Sequence, residues 1–492
     1  MSSLFIGFLL TPMVLKVIGD ERMGGYRTLV DCFGNLGLLE FGIFGSLIAR
    51  FSYAIGSQNL PLQRYYLFRG TRITMGTVLI SLVGSLGIYL FLPQLIPLSP
   101  AVFPELKLGF FIMLISLLSL LFWPLRAFCE AAQEGYVASI AQWVQNLTIN
   151  LLTLLFVFQG RGIVGQCLAF VIGNLLFGIL LGRAVKKRHP EVFRGLLRSD
   201  GIPTDAKPLW NLQRDNFIYN LAGRISLATD NIVISVILGP ARVAPVIFSQ
   251  QLFAVISSQL QGVGTATWPA MAEIHAKGEY ELYRKNFFTL CKLVAFLAGG
   301  ALVPIYVFNE SFIQLWLGAT RYAGSLFNIA IALNSFFLPV LTIWSWAMTS
   351  TGKVGKLVLP TVIQAGINFS LSIFFTYRLG PAGPVWGSLV SYIVVPLIWF
   401  PILLKREFKI EPGPLCLAFL PSLMLAGLSA VLLKSITEFQ RASHWPELLL
   451  KLSLTGVGYL LFAYLVLLSR EEKRDYAQKA KFILENKLKI RL

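Results

Sequence analysis

Residues 73–97 read ITMGTVLISLVGSLGIYLFLPQLIP, a run of 25 positions without a charged side chain. A helix needs about 20 mainly apolar residues to cross the hydrocarbon core of a bilayer. Similar apolar stretches recur along the whole chain and predict fourteen membrane spans. In order they are 2–18, 26–48, 73–97, 107–128, 138–159, 163–182, 216–238, 245–269, 287–309, 323–348, 357–377, 383–404, 414–434 and 447–469. The alternative count is twelve or thirteen, if the last pair is misread.

The composition excludes a water-soluble fold. Of the 492 residues 55% are apolar and 13% are charged, whereas soluble domains carry roughly 25% charged residues. The polar side chains are too few to cover the surface of a soluble protein of this size. A soluble enzyme, a disordered chain and a secreted disulfide scaffold are therefore excluded. The predicted fold class is an all-α polytopic membrane protein.

Basic residues are distributed unevenly between the predicted loops. With both termini in the cytoplasm, the inner segments hold 28 Lys and Arg residues and the outer segments hold 6. This asymmetry follows the positive-inside rule and predicts a multi-pass protein of the cytoplasmic (inner) membrane. It also accounts for the net charge of +18 through attraction to anionic lipid, so the expected partner is membrane lipid and not nucleic acid.

The two halves of the chain resemble each other weakly. Gly19 after span 1 aligns with Gly239 after span 7, and Gly162 before span 6 aligns with Gly380 before span 12. Six spans in each repeat give both halves the same orientation, which predicts two pseudo-symmetric lobes related by an axis along the membrane normal. The predicted division is an N-lobe 1–182, a basic cytoplasmic linker 183–215, a C-lobe 216–404, two appended spans in 405–469 and a basic tail 470–492.

Several short motifs resemble a known transporter family. The N-terminal motifs are Leu10-Thr-Pro12 to Gly19, Gly25-Tyr26, and Glu40-Phe-Gly42-Ile-Phe-Gly-Ser46 to Arg50. The C-terminal ones are Asp230-Asn-Ile-Val-Ile with Gly239, Gly352-Lys353, and Gly380 to Gly383. Together they are similar to the lipid-linked oligosaccharide flippases of the multidrug/oligosaccharidyl-lipid/polysaccharide exporter (MOP) superfamily.

The resemblance implies a function as well as a fold. It implies two lobes that open alternately to either side of the membrane. It also implies a cargo of sugar chains on a polyprenyl pyrophosphate, moved from the cytoplasmic to the outer leaflet for surface polysaccharide such as lipopolysaccharide. Other glycan-assembly proteins are then possible partners. No cofactor and no metal site are predicted, because the five cysteines form no Cys-x-x-Cys pair and the three histidines lie far apart.

Ionisable side chains within spans are costly and by default mark a cavity or a pathway. In span 2, one side of the helix carries polar residues at spacings near one or two turns: Arg27, Asp31, Asn35 and Arg50. Arg27 and Asp31 are spaced to pair within the helix, whereas Glu40 falls on the other side. The alternative is that Arg27 and Arg50 lie near the helix ends and extend to the interface.

Spans 7 and 8 supply a second polar set. Asn220, Arg224 and Asn231 share a face of span 7, with Asp230 directed away, and span 8 adds Gln250 and Gln261. Arg224 is the best candidate for binding pyrophosphate, because a guanidinium binds phosphate oxygens bidentately and stays charged. The alternative is a structural ion-pair network of Arg224 with Asp230.

Two other functions remain open. A multidrug or cation exporter of the same fold would use the carboxylates Asp31, Glu40 and Asp230. A membrane-embedded glycan polymerase is less favoured, since the longest predicted loop, 183–215, is basic and the sequence contains no Asp-x-Asp. The sequence also lacks a P-loop, Gly-x-x-x-x-Gly-Lys-[Ser/Thr]. We therefore predict a transporter and not an enzyme, with H⁺ or Na⁺ as the possible coupling ion.

Overall fold

The computed structural model describes residues 2–36, 43–196, 201, 214–436, 439, 441–467 and 473. The regular structure of these residues is helical throughout. The α-helices are Ser2–Leu36, Ile43–Gly56, Leu60–Leu90, Leu92–Leu95, Phe103–Ser116, Trp123–Ala131, Gly135–Phe158, Gly162–Arg188, Pro190–Phe193, Arg214–Ala228, Asp230–Leu238, Val243–Ser249, Gln251–Ala276, Tyr280–Leu317, Ser325–Ser350, Gly355–Leu379, Gly383–Val394, Pro396–Phe408, Pro412–Ser435 and Trp445–Leu467.

The helices confirm the all-α polytopic fold class. Each predicted span falls on one helix or on two consecutive helices, and the span numbers are kept below. By length and apolar composition, nine helical segments of the described chain are able to cross a membrane, or ten if the bent pair Pro240–Ser249 and Gln251–Val263 is one span. One of the nine, Gly355–Phe408, contains predicted spans 11 and 12.

Four glycines at the predicted repeat positions share an unusual backbone conformation. Gly19 has φ +79°, and Gly239, 220 positions later, has φ +90°. Gly162 has φ +49°, and Gly380, 218 positions later, has φ +63°. Side chains other than hydrogen are disfavoured at positive φ, so glycine suits these turns. The break at Gly19 separates spans 1 and 2 within Ser2–Leu36.

Packing divides the chain into two compact units. The first comprises Met1–Ile247 and Leu357–Ser388, and the second comprises Phe248–Lys356 and Leu389–Leu492. The first unit therefore contains spans 1–7 and span 11, and the second contains spans 8–10, 13 and 14. The division into lobes 1–182 and 216–404, with a linker and appended spans, stays a prediction.

An ion pair joins three spans at the predicted outer end of the first unit. Arg22 donates from Nε and Nη2 to the Glu105 carboxylate, with an Nη2–Oε1 distance of 2.8 Å. The second oxygen, Oε2, accepts from the backbone N–H of Ile163 at 3.2 Å, at the first turn of span 6. A carboxylate there satisfies a helix N–H and complements the helix dipole. The hydrogen bond from Arg22 to Glu105 also raises the pKa of the guanidinium.

Substitution of Glu105 with alanine is expected to destabilise the first unit by about 1–2 kcal/mol, because it removes both a charge-assisted pair and a helix cap. The matched control is Glu130→Ala, which removes only an i,i+4 pair with Arg126, worth about 0.3–0.5 kcal/mol. Thermal unfolding of the purified protein in detergent measures the loss of stability in both variants. Equal losses for the two variants would contradict a special role for Glu105.

Candidate substrate-binding site

The buried face of span 2 fixes the rotation of its polar residues. Tyr26, Leu29 and Phe33 are buried in one apolar cluster with residues of spans 4 and 6. The ring of Phe33 packs edge-to-face on that of Phe110, with 5.3 Å between centroids. These residues repeat at intervals of three and four, which is the spacing of one helix face. Arg27 and Asp31 therefore project from a different side of span 2.

Span 2 approaches span 7 closely in the first unit. A Cβ built on Gly24 would lie 1.8 Å from the carbonyl oxygen of Pro240, so the absent side chain permits the contact. Ser235 of span 7 donates from Oγ to the carbonyl oxygen of Leu95, near the end of span 3, at 2.8 Å. These contacts fix the position of span 7 beside spans 2 and 3.

One hydrogen bond connects the polar residues of the two spans. Asn231 donates from Nδ2 to Asp31 Oδ2 at 2.7 Å. Asp230 is close enough to Asp31 for the two carboxyl groups to interact electrostatically. Among the described residues, the buried oxygens Asp230 Oδ1 and Asn231 Oδ1 have no hydrogen-bond partner. The structure thus brings together two carboxyl groups, one of them with an unsatisfied oxygen, and an unsatisfied amide oxygen, a set that suits a proton or a small cation.

The placement of Asp230 differs from the expected one. The sequence spacing directs Asp230 away from the face of Asn231, but both residues lie near Asp31. Span 7 consists of two consecutive helices, Arg214–Ala228 and Asp230–Leu238. Neighbouring positions of a helix project about 100° apart, so Asp230 and Asn231 can both lie near one side chain of span 2.

Two arginines accompany this group. Arg27 and Arg224 are exposed, and both interact favourably with the negative charge of Asp31. A direct Arg27–Asp31 ion pair is not formed within the described part of span 2, where Asp31 instead accepts from Asn231. Asn220, one turn before Arg224, is also exposed. We call Arg27, Asp31, Arg224, Asp230 and Asn231 the span 2–span 7 polar group.

The other predicted site residues lie elsewhere or outside the described set. Arg50 is half-buried in the helix Ile43–Gly56, beyond the stretch 37–42. The side chain of Asn35 and all of Glu40 lie outside the described residues. Gln250 and Gln261 are half-buried and belong to the second unit.

A second buried polar cluster was not singled out from the sequence. Gln145 of span 5 is 7% exposed and donates to Asn174 Oδ1 of span 6 at 3.1 Å. Gln142 donates to Gln145 Oε1 at 2.6 Å. Amide side chains within otherwise apolar spans were the available signal, but sequence spacing alone does not reveal a pairing between two helices.

The fold of the chain is similar to the folds of known transport proteins. No protein-family model matches the chain. A protein of Salmonella typhimurium strain LT2 described as "Putative O-antigen transporter" is 22% identical over 187 residues, which cover 38% of this chain and 44% of that protein. The chain thus matches less than half the length of this curated relative.

Solved structures match far more of the chain. Lipid II flippase MurJ in an inward closed conformation superposes with a TM-score of 0.67 at 15% identity, over 94% of this chain and 95% of MurJ. An inward-facing MATE-family multidrug transporter of the MOP superfamily gives a TM-score of 0.64 at 12% identity, over 82% of this chain and 94% of that one. The MATE multidrug transporter DinF-BH gives a TM-score of 0.62 at 14% identity, over 83% of this chain and 93% of that one. At these identities the matches establish the fold.

Proposed function

From the MOP-superfamily transporter fold of the chain, we propose that it is a flippase for lipid-linked oligosaccharide. The cargo is a sugar chain on a polyprenyl pyrophosphate, moved by alternating access from the cytoplasmic to the outer leaflet for surface polysaccharide biosynthesis. The protein resides in the inner membrane with both termini in the cytoplasm. It works beside other glycan-assembly proteins.

The pair of exposed arginines in the span 2–span 7 polar group carries this proposal. Arg27 and Arg224 both interact with the charge of Asp31, and the polar group contains two guanidinium groups and two carboxyl groups. Arginine is well suited to a phosphate group, since its planar guanidinium donates two parallel hydrogen bonds and stays charged. Once a proton or a cation neutralises one of the two carboxyl groups, the polar group carries an excess positive charge, which suits the anionic pyrophosphate of the cargo. Arg50 and Asn220 are proposed as further contacts of the substrate.

The carboxyl groups of the same cluster are proposed to couple transport to an ion. Asp31 and Asp230 interact, and Asp230 Oδ1 and Asn231 Oδ1 lack partners among the described residues. Intramembrane carboxylates of this kind serve as proton relays or as ligands of a coupling ion. Binding of H⁺ or Na⁺ would neutralise Asp31 and leave Arg27 and Arg224 available for the phosphate.

A multidrug exporter of the same fold is the second candidate, favoured by the MATE matches and by the two carboxyl groups. The extent of the matches supports the flippase instead. The MurJ match covers 94% of this chain, against 82% and 83% for the two MATE matches. Predicted spans 1–12 end at residue 404 of 492, so the difference in coverage is comparable in size to the appended span pair.

The test is the lipid-linked oligosaccharide content of a deletion strain, measured by mass spectrometry with and without the restored gene. We expect finished repeat units to accumulate on the cytoplasmic leaflet and to disappear when the gene is restored. Intact surface glycan without accumulation, together with a change in drug susceptibility, would reject the flippase and favour the exporter.

A further inference from the structure

The last two spans enclose an apolar cavity in the second unit. It has a volume of about 350 Å³ and lies between span 9 and spans 13 and 14. Its wall includes Val303, Leu432, Leu433, Gly458 and Phe462. Spans 13 and 14 are only 33% and 17% buried over their most apolar windows. Because most of their surface faces outward, this cavity borders the lipid of the bilayer.

A polar cavity lies at the adjoining ends of the same helices. It has a volume of about 390 Å³, and its wall is formed by Val307, Glu310, Ser311, Gln314, Lys434 and Arg441. Val307 is one turn beyond Val303 on span 9, and Lys434 directly follows Leu433 on span 13. The two cavities are therefore neighbours along spans 9 and 13, and the polar one is nearer the end of the unit that the charge distribution predicts to face outside.

The charges of the polar cavity are not balanced. Lys434 Nζ lies 3.7 Å from Glu310 Oε2, and Gln314 donates to Glu310 Oε1 at 3.3 Å. Arg441 is exposed and forms no ion pair with any described residue. Its backbone carbonyl accepts from Lys451 Nζ at 2.7 Å, which fixes the start of the segment that leads into span 14. Among the described residues of its wall, two cations and one carboxylate leave one net positive charge.

We propose that the two cavities form one binding site for an anionic phospholipid of the outer leaflet. The phosphodiester contacts Lys434 and Arg441, and an acyl chain occupies the apolar cavity. Basic pockets between helices at a membrane surface bind anionic head groups in this way. The Thr455 side chain lines the apolar cavity and is 6% exposed, and its hydroxyl has no partner among the described residues. An ester oxygen of the lipid would supply that partner.

Charge distinguishes this ligand from a polyprenyl carrier. A phosphodiester carries one negative charge, which matches the single excess charge of the lining, whereas a phosphomonoester carries about −1.5 to −2 at pH 7. The site lies wholly in the second unit, and the span 2–span 7 polar group lies in the first. The lipid proposal therefore rests on different residues from the proposed transport function.

Native mass spectrometry of the purified full chain in detergent tests the head-group half of the site. The probes are phosphatidylglycerol and phosphatidylethanolamine with identical acyl chains, and a polyprenyl monophosphate. We expect one phosphatidylglycerol to bind about tenfold more tightly than phosphatidylethanolamine, which corresponds to about 1.4 kcal/mol. The double variant Lys434→Gln/Arg441→Gln should lose this preference, whereas Arg242→Gln, at an exposed position of the first unit, should keep it.

Two glycines of span 14 test the acyl-chain half. Neither Gly458 nor Gly456 has an atom within 4 Å of a built Cβ, but only Gly458 lines the cavity. Gly458→Phe should fill the cavity and reduce binding of both phospholipids at least tenfold, while Gly456→Phe should bind as the parent does. Equal binding of the two head groups, unchanged binding after Lys434→Gln/Arg441→Gln or Gly458→Phe, or a preference for polyprenyl monophosphate would overturn the proposal.

Discussion

Replacement of both Arg27 and Arg224 with alanine is expected to slow flipping of lipid-linked oligosaccharide by about 100-fold or more. A hydrogen bond to a charged group contributes about 1.5–3 kcal/mol, and each 1.4 kcal/mol is a factor of about ten. Each single variant should therefore lose roughly tenfold, and the double variant more. The measurement is the rate at which accumulated cytoplasmic-leaflet oligosaccharide is cleared after the gene is induced in the deletion strain.

Lysine substitutions separate the effect of the positive charge from that of the guanidinium geometry. Arg27→Lys and Arg224→Lys keep the charge but lose the planar, two-pronged donor. They should therefore retain more activity than the alanine variants and less than the parent. Arg242→Ala is the matched control, since Arg242 is an exposed arginine of the same unit outside the polar group. Its flipping rate should equal that of the parent.

A structural role for the arginines would give a different pattern. Both of them stabilise the charge of Asp31, so their removal leaves that charge inside a span without cationic neighbours from the polar group. Adding Asp31→Asn to the double variant removes this cost and keeps the hydrogen-bonding side chain opposite Asn231. If Asp31→Asn restored flipping, Arg27 and Arg224 would be charge partners of Asp31 and not ligands of the cargo. We expect it to restore protein yield alone.

The fold could be predicted from the sequence because its determinants are local. An apolar run such as 73–97 identifies a span by itself, and the structure places that run on the helix Leu60–Leu90 and the short helix Leu92–Leu95. The turns at Gly19 and Gly239 could also be predicted from the sequence, since both glycines follow corresponding spans. Both adopt the positive φ that glycine permits.

The contacts of the candidate site could not be predicted in the same way. Residues 31 and 231 are 200 positions apart, and their hydrogen bond depends on how two helices pack. The interaction of Asp230 with Asp31 also depends on how spans 2 and 7 pack. The pair Arg22–Glu105 likewise joins two helices at positions 83 residues apart in the sequence. The sequence shows which polar residues lie within the spans, but it does not show which residues they contact.

Gly24→Ala is expected to disrupt the contact that brings spans 2 and 7 together. The added Cβ would lie 1.8 Å from the carbonyl oxygen of Pro240, which is a backbone atom of a buried residue at the start of the turn Pro240–Arg242. A flexible side chain cannot move aside here, so the helices must separate. Overpacking of this kind costs about 1–3 kcal/mol. We therefore expect a lower unfolding temperature in detergent and a loss of flipping.

Gly34→Ala is the matched control on the same helix, because a Cβ there has no atom within 4 Å. Alanine at that position should leave stability unchanged or raise it by about 0.5–1 kcal/mol, since glycine within a helix is unfavourable relative to alanine. A separation of spans 2 and 7 would lengthen the Asn231–Asp31 hydrogen bond, so Gly24→Ala should affect transport and stability together. If Gly24→Ala and Gly34→Ala unfolded at the same temperature, the approach of Gly24 to Pro240 would not hold the two spans. The polar group would then depend on the Asn231–Asp31 bond and on the Ser235–Leu95 contact for its geometry.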